Sequence, residues 1–461
     1  MNANMIRQQF EQGLLDACSI TALFAKGQLS PLDFTDACLA AAEKSSGIFI
    51  TLTPERARKE SAASARRWQQ GVPLSALDGI PVAWKDLFNI ADTRTTAGSA
   101  TRRDTPAAVC DAALVARLTQ AGMVTMGKTN LSEFAFSGLG INPTFGTPTL
   151  RAANGEELVP GGSSSGAARA VALGLACFAI GTDTAGSVRI PAAFNGVVGY
   201  RSSRQRYNAS GVFPLADSLD TIGPLCRSVR DARALDEILC GVEEETYPAP
   251  ALIVDTQLMD AADATVREQG YRLLSSLAAA GIAVEYRRLN AFHDALAWIA
   301  AHGWPGAVEA FQLHAALLSS PAVENIDPFI RRRLMASGRI DPAVLTTFLR
   351  QRPLWQQALA DELNGAVLVT PTVAHTAPHL APLVADAEAF AVVNDATLRL
   401  TMPGSLLDMP GVALPSGVTT NGLFTSLLFS LPTGEDRRLL MAASAVSDLL
   451  AQRHAVCADP L

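Results

Sequence analysis

Three short segments of the sequence place small hydroxyls and one lysine where they can do chemistry. Residues 160–166 read PGGSSSG, residues 181–187 read GTDTAGS, and residues 79–86 end an apolar run at Lys85. Glycine permits backbone paths that bring several N–H groups to one point, because it has no Cβ to clash. Two serines with a buried lysine can carry out acyl transfer without a histidine or a metal ion. The pattern therefore predicts a serine-based acyl-transfer site.

Ser187 is the candidate nucleophile, because it closes the second glycine-containing turn. The backbone N–H groups of this turn can stabilise a developing oxyanion, which is usually the largest single contribution to such catalysis. They belong to Thr184, Ala185, Gly186 and Ser187. Ser163 in the first turn can pass a proton between a nucleophilic serine and a lysine. The structural alternatives are a tight turn that only needs small residues, and a helix N-cap for Ser163.

Lys85 is the candidate base. The chain has lysines only at 26, 44, 59, 85 and 128, and Lys85 alone follows a run with the apolar character of a buried strand. Burial disfavours the charged form of an amine, so a buried lysine can act as a neutral base near pH 7. The structural alternative is an ion pair with a carboxylate such as that of Asp86.

A rival motif lies in the first turn. Residues 162–166 satisfy G-x-S-x-G, the nucleophile elbow of α/β-hydrolases, with Ser164 as nucleophile and His375 or His379 as the triad histidine. An elbow follows a buried strand, whereas residues 154–160 are polar and end in proline. The elbow would also leave Lys85 without a role. We therefore favour Ser187 over Ser164.

Composition limits the remaining functions. A formal charge of −7 argues against a nucleic-acid partner, and no apolar run is long enough to span a membrane. The polar N-terminus is unlike a signal peptide, so a cytoplasmic location is expected. Seven cysteines, far apart and odd in number, predict reduced thiols. The six histidines lack metal-binding spacing, and neither a metal nor a cofactor is expected.

The hydrophobic periodicity predicts an α/β fold, because strand-like and helix-like segments alternate. We expect three helices within residues 10–70 and a mostly helical stretch over 296–364. The other predicted helices are 110–122, 167–175, 229–243, 261–280 and 437–452. The predicted strands are 80–84, 123–127, 176–180, 251–254, 282–287, 367–370, 411–414 and 425–429. The 461 residues are expected to form one domain, with an N-terminal helical region (1–70), a catalytic core (71–240) and a variable helical part that completes the sheet (241–461).

The motifs taken together resemble the amidase signature enzymes, and the resemblance runs nearly from end to end. It rests on residues 79–86, 127–134, 160–166, 181–191, 196–199, 218–224, 370–372, 410–415 and 422–423. The resemblance implies a Ser-cisSer-Lys triad of Ser187, Ser163 and Lys85, with the oxyanion held at residues 184–187. It also implies one α/β domain, whose large mixed twisted sheet is covered by helices on both faces.

The activity implied by the resemblance is hydrolysis of a small-molecule carboxamide to a carboxylate and ammonia or an amine, through an acyl-enzyme. Departures from the family pattern at Ser165, Ala167, Ala185 and residues 200–203 remove no catalytic group. The main alternative is the glutaminase component of a tRNA-dependent amidotransferase, which would need partner subunits. Residues 200–211 depart from the usual pattern of that branch, which favours a stand-alone hydrolase, with a homodimer as one open arrangement.

The substrate pocket is expected to draw on residues 134–140, around Ser137, Gly138 and Leu139, and on the helices of 296–345. In the second region Trp304, Glu309 and the run Arg331 to Arg333 are candidate polar contacts, with solvated helix surface as the alternative. The amide itself is not encoded in these motifs.

Overall fold

The computed structural model describes residues 2–242 and 247–458, with side chains up to residue 451. Eleven strands of this part of the chain form one sheet, and two short ones form a separate hairpin. The strands are β1 (Phe49–Leu52), β2 (Pro81–Lys85), β3 (Val124–Thr129), β4 (Leu150–Arg151), β5 (Glu157–Leu158), β6 (Phe178–Asp183), β7 (Val198–Arg201), β8 (Thr221–Cys226), β9 (Ala251–Val254), β10 (Ala283–Tyr286), β11 (Val367–Pro371), β12 (Gly411–Val418) and β13 (Phe424–Ser430).

The large sheet has the order β1-β3-β2-β6-β8-β7-β12-β13-β11-β9-β10 and is mixed. β2 runs parallel to β3 and β6, and β9 runs parallel to β10 and β11, while the remaining neighbours are antiparallel. Every residue of β2, β3, β6, β8 and β11 is buried. Since side chains alternate between the two faces of a sheet, these strands are covered on both faces. The predicted α/β fold with a helix-covered mixed sheet is confirmed.

Eighteen α-helices in the described residues cover the sheet. They are α1 (Ala3–Glu11), α2 (Ala17–Ala25), α3 (Pro31–Ala42), α4 (Pro54–Gln70), α5 (Ala113–Gln120), α6 (Ser165–Ala172), α7 (Arg189–Asn195), α8 (Val229–Cys240), α9 (Thr256–Asp260), α10 (Ala264–Ala279), α11 (Asn290–His302), α12 (Pro305–Leu318), α13 (Pro328–Ser337), α14 (Ala343–Leu363), α15 (Leu380–Ala385), α16 (Ala387–Leu398), α17 (Met402–Leu406) and α18 (Asp436–Ala458). Short 3₁₀ helices cover Ala100–Arg102, Glu133–Ala135 and Pro321–Asn325.

Two local predictions were wrong. The N-terminal region holds four helices and the edge strand β1, where three helices were expected. β1 is only four residues long and pairs antiparallel with β3, so its formation depends on a distant strand rather than on local pattern. The helix expected over 261–280 begins at Ala264, because Asp263 precedes it as N-cap after the separate short helix α9.

The cysteines with described surroundings are free thiols: Cys18, Cys38, Cys110, Cys177, Cys226 and Cys240. The side chains of Cys457 and His454 lie outside the described part of the chain. Across the described residues, none of the helices combines the length and the apolar character that crossing a bilayer requires.

Candidate active site

Two neighbouring parallel strands bring the predicted site together. β2 ends at Lys85 and β6 ends at Asp183, and the two strands are paired in parallel register through Trp84 and Ile180. Parallel neighbours end at the same edge of a sheet, so the lysine and the turn after β6 must meet there. The Lys85 Nζ lies 2.9 Å from the Thr182 hydroxyl and 3.4 Å from the Thr182 carbonyl.

Ser163 reaches the same point from the loop that precedes α6. The Lys85 Nζ donates a hydrogen bond to the Ser163 Oγ at 2.7 Å, and both side chains are fully buried. The peptide bond between Gly162 and Ser163 is cis, as the family resemblance implies. Only glycine fits at position 162, because a Cβ there would lie 2.5 Å from the backbone nitrogen of Gly140.

Ser187 lies against this loop and faces a cavity. The N–H of Ser164 donates to the Ser187 carbonyl at 3.1 Å, which joins the two turns through the residue that follows Ser163. Ser187 lines a cavity of about 960 Å³, whereas Lys85 and Ser163 do not. The three predicted residues are therefore arranged with the serine of the second turn in front and the hydrogen-bonded pair behind it.

The surroundings of Lys85 favour its neutral form. Burial lowers the pKa of Lys85 to about 7, against the opposing influence of the Asp220 and Asp183 carboxylates. Its hydrogen-bond partners are the hydroxyls of Ser163 and Thr182 and one carbonyl, all of them uncharged. A lysine held by neutral groups in a dry site can accept a proton near neutral pH.

The suggested ion pair between Lys85 and Asp86 does not form. Asp86 instead pairs with Lys128, whose Nζ lies 2.6 Å from the carboxylate. Lys128, which the sequence places before a polar turn, is fully buried in β3. Its partner in the register is Trp84, so it shares the sheet face of Trp84, and Lys85 points to the opposite face. This explains why only one of the two lysines reaches Ser163.

Asp183 holds the turn of residues 184–187 in shape. Its carboxylate accepts hydrogen bonds from the N–H groups of Gly186 at 2.8 Å and Val188 at 3.1 Å. The Arg189 guanidinium pairs with it at 2.9 Å. Burial acts to raise the pKa of Asp183, but the positive charges of Arg189 and Arg201 override it and hold the pKa well below its ordinary value. The turn is therefore anchored by a permanently ionised carboxylate.

This anchoring changes the set of N–H groups open to an oxyanion. Gly186 already donates its N–H to Asp183. Among the described hydrogen bonds, the N–H groups of Thr184, Ala185 and Ser187 have no acceptor. Two further contacts fix the turn: the Thr184 hydroxyl donates to Asp220 at 2.5 Å, and the Thr401 hydroxyl donates to the Ala185 carbonyl at 2.5 Å.

Sequence reasoning gave no role to Thr182 or Thr401. Thr182 lies in the second turn segment itself, so its position beside the lysine was open to inference from the strand pairing. Thr401 is more than two hundred residues away along the chain, and no local pattern marks it.

The predicted substrate residues are divided by the structure. Ser137 lines the cavity, whereas Gly138 and Leu139 lie behind its wall. The Gly138 N–H donates to Asn394 at 2.9 Å, and Leu139 is fully buried. Both positions therefore support the wall in place of facing a substrate.

The helices of 296–345 do form much of the cavity wall. Trp304, Arg332 and Arg333 line it. Glu309 instead accepts hydrogen bonds from Ser218, and Arg331 pairs with Glu324 at 2.6 Å outside the lining.

The elbow hypothesis has no support from the geometry. The Ser164 hydroxyl contacts the Thr182 carbonyl at 3.4 Å. His375 is hydrogen-bonded to Thr376 and Thr397, and the exposed His379 lies 3.4 Å from Glu156. Within the described part of the chain, no imidazole hydrogen-bonds to Ser164.

Comparison with known proteins agrees with this geometry. A family model described as Amidase matches residues 33–440. The 2-amino-5-chloromuconic acid deaminase of Comamonas testosteroni is 32% identical, over 95% of this chain and 97% of its own. The mandelamide hydrolase of Pseudomonas putida is 31% identical, over 87% and 84%. A solved structure titled "Crystal structure of amidase" superposes with a TM-score of 0.82 at 30% identity, covering 95% of this chain and all of that one.

The amidotransferase hypothesis has weaker support. A glutamyl-tRNA(Gln) amidotransferase chain of Symbiobacterium thermophilum is 39% identical, but over 235 residues, which are 50% of this chain and 47% of its own. The deaminase and the hydrolase are matched over most of their length.

Proposed function

Because the chain belongs to the amidase family, it is an enzyme that hydrolyses amides, and we propose that Lys85, Ser163 and Ser187 carry out the reaction. The single observation that carries this assignment is the 2.7 Å hydrogen bond from Lys85 to Ser163, immediately behind the one serine of the set that faces the cavity.

In the first half of the reaction, the Ser187 oxygen attacks the amide carbon. The Ser187 proton passes to the Ser163 oxygen while the Ser163 proton passes to the neutral Lys85 amine. The oxyanion is held by the free N–H groups of Thr184, Ala185 and Ser187. The C–N bond then breaks, the proton returns along the same path to the leaving nitrogen, and an acyl-enzyme ester remains on Ser187.

In the second half, water replaces the leaving group and attacks the ester carbon. Its proton follows the same route to Lys85 and returns to Ser187 when the C–O bond breaks. The products are a carboxylate and ammonia or an amine. A lysine with a pKa of about 7 can serve as base in one half and acid in the other, because both forms are populated near neutral pH.

The substrate class follows from the cavity. A volume of about 960 Å³ and walls that include Trp304, Phe390 and Met402 suit a small molecule with an apolar body. Two of the matched relatives are named for small molecules, mandelamide and 2-amino-5-chloromuconic acid, which supports the same class here.

The test compares two neighbouring hydroxyls. Ser187→Ala should abolish ammonia release from a panel of small amides, and no acyl adduct should form by intact-mass spectrometry. Ser164→Ala, the matched control, should keep most of the activity. The reverse pattern would restore the elbow at Ser164, and turnover by the Ser187→Ala variant would disprove the assignment.

The amidotransferase alternative is distinguished by its partners. If the tagged chain copurifies with other subunits from its own host and delivers ammonia only in their presence, that alternative holds. The homodimer and the cytoplasmic location stay predictions, which light scattering and cell fractionation would test.

A further inference from the structure

The charged side chains of the cavity are not balanced. Six of them line it: Arg288, Arg332, Arg333, Arg399, Glu388 and Asp395. Arg332 pairs with Glu388 and Arg333 with Asp395, each at 3.1 Å. The two carboxylates are thereby used, and two arginines are left without a carboxylate among the described residues.

These two arginines are held differently. Arg288 donates to neutral acceptors, the side-chain oxygens of Gln257 and Asn290. The Arg399 side chain makes no hydrogen bond or ion pair to any described residue, although it lines the cavity between Leu398 and Met402. Both residues are solvent-exposed, so their guanidinium groups are free to bind an anion.

The packing brings the two arginines to one side of the cavity. Arg288 precedes Leu289 and Arg399 precedes Leu400, and both leucines belong to the same buried apolar cluster. The third titratable group of this side, His293, already faces the Asp255 carboxylate at 3.0 Å. The uncompensated positive charge therefore sits at one place.

This place is close to the reacting serine. Arg399 is two residues before Thr401, whose hydroxyl contacts the Ala185 carbonyl of the oxyanion turn. Two residues span at most about 7 Å of chain. A guanidinium at position 399 can thus contact a group a few bonds away from an amide held at Ser187.

We propose that the substrate carries a carboxylate in addition to its amide, and that Arg399, with Arg288 beside it, binds that carboxylate. Guanidinium and carboxylate match in shape and charge, and their hydrogen bonds are among the strong ones in proteins. The cavity wall also includes Leu296, Ile299 and Trp304, which suits an apolar alkyl, alkenyl or aromatic body between the two polar ends. This inference rests on the proposed amide hydrolysis and narrows it to acidic amides.

The experiment uses substrate pairs that differ only in the carboxylate. Terephthalamate is compared with p-toluamide, and adipamate with hexanamide, by ammonia release. The wild type should prefer the acidic member of at least one pair by about 10- to 100-fold in kcat/KM, the range for a hydrogen bond to a charged group. No preference in either pair would overturn the proposal.

Variants then locate the preference. Arg399→Met should remove most of it by raising KM for the acidic amide alone, and Arg399→Lys should restore part of it. Arg288→Gln should have a smaller effect in the same direction. Arg331→Gln is the control, since this arginine lies outside the cavity lining and pairs with Glu324. An equal loss for acidic and neutral amides in Arg399→Met would mean a structural role and would overturn the assignment.

A binding measurement separates this inference from the proposed function. The Ser187→Ala variant should bind terephthalamate more tightly than p-toluamide by calorimetry, and Arg399→Met in that background should abolish the difference. If the wild type hydrolyses neither amide while this binding difference persists, the catalytic proposal fails and the carboxylate site stands. If hydrolysis is seen without the difference, only the carboxylate site fails.

Discussion

Lys85 and Lys128 lie on adjacent parallel strands one register position apart, and their side chains point to opposite faces of the sheet. Both are fully buried, and burial lowers the pKa of each. Lys128 is neutralised by Asp86 at 2.6 Å, whereas Lys85 contacts only hydroxyls and a carbonyl. The same residue type thus serves as a structural ion pair on one face and as a candidate base on the other.

The two lysines should respond differently to substitution by methionine. Lys128→Met leaves the Asp86 carboxylate buried without its partner, and the loss of a buried pair member costs about 3–5 kcal/mol. Lys85→Met removes a buried amine without stranding a carboxylate in contact with it. We expect it to change the free energy of unfolding by no more than about 1 kcal/mol while abolishing activity.

Urea unfolding and ammonia release measure both effects. The double variant with Asp86→Asn and Lys128→Met is the control and should recover much of the stability lost by Lys128→Met. A large loss of stability in Lys85→Met, or retained activity, would contradict the assigned roles.

The rate should depend on the protonation of Lys85. The neutral amine is the active form, and its pKa is lowered by burial to about 7. Lowering the pH below this value protonates the base, so kcat/KM should fall about tenfold per pH unit between pH 6 and 5 and level off above pH 8. Thermal unfolding at each pH excludes loss of structure as the cause. A rate that stays flat down to pH 5 would argue against a neutral lysine base.

Thr401 should act by positioning the oxyanion turn. Its hydroxyl donates to the Ala185 carbonyl, so Thr401→Val should loosen the turn that holds the developing charge. We expect kcat to fall about tenfold with KM unchanged, less than the 10²- to 10³-fold expected for loss of a direct oxyanion donor.

Thr397→Val is the matched control for this prediction. Its hydroxyl donates to the Val393 carbonyl of its own helix and does not contact the turn. Both variants should lose about 1 kcal/mol of stability by urea unfolding, but only Thr401→Val should lose kcat. An equal fall in kcat for both would show that the effect is one of general stability.

Much of the site was predictable because its signals are local. The glycine-serine turns and the apolar run before Lys85 each lie within eight residues, and glycine spacing and burial pattern indicate where hydroxyls and amines can lie close together. The strand and helix alternation was also local, and most element positions in the core were predicted to within a few residues. The strand β1 was missed because its edge pairing with β3 is a contact between distant segments.

The sequence by itself determined the α/β class, the three candidate residues Lys85, Ser163 and Ser187, and the amide chemistry implied by the family resemblance. Only the tertiary structure decided that Asp86 pairs with Lys128, that Gly186 donates its N–H to Asp183, and that Gly138 and Leu139 lie behind the cavity wall. The physical reason is that hydrogen bonds and ion pairs depend on which strand faces are shared and which segments meet. Those contacts arise from strand register and packing across the chain, which residue types in one segment do not encode.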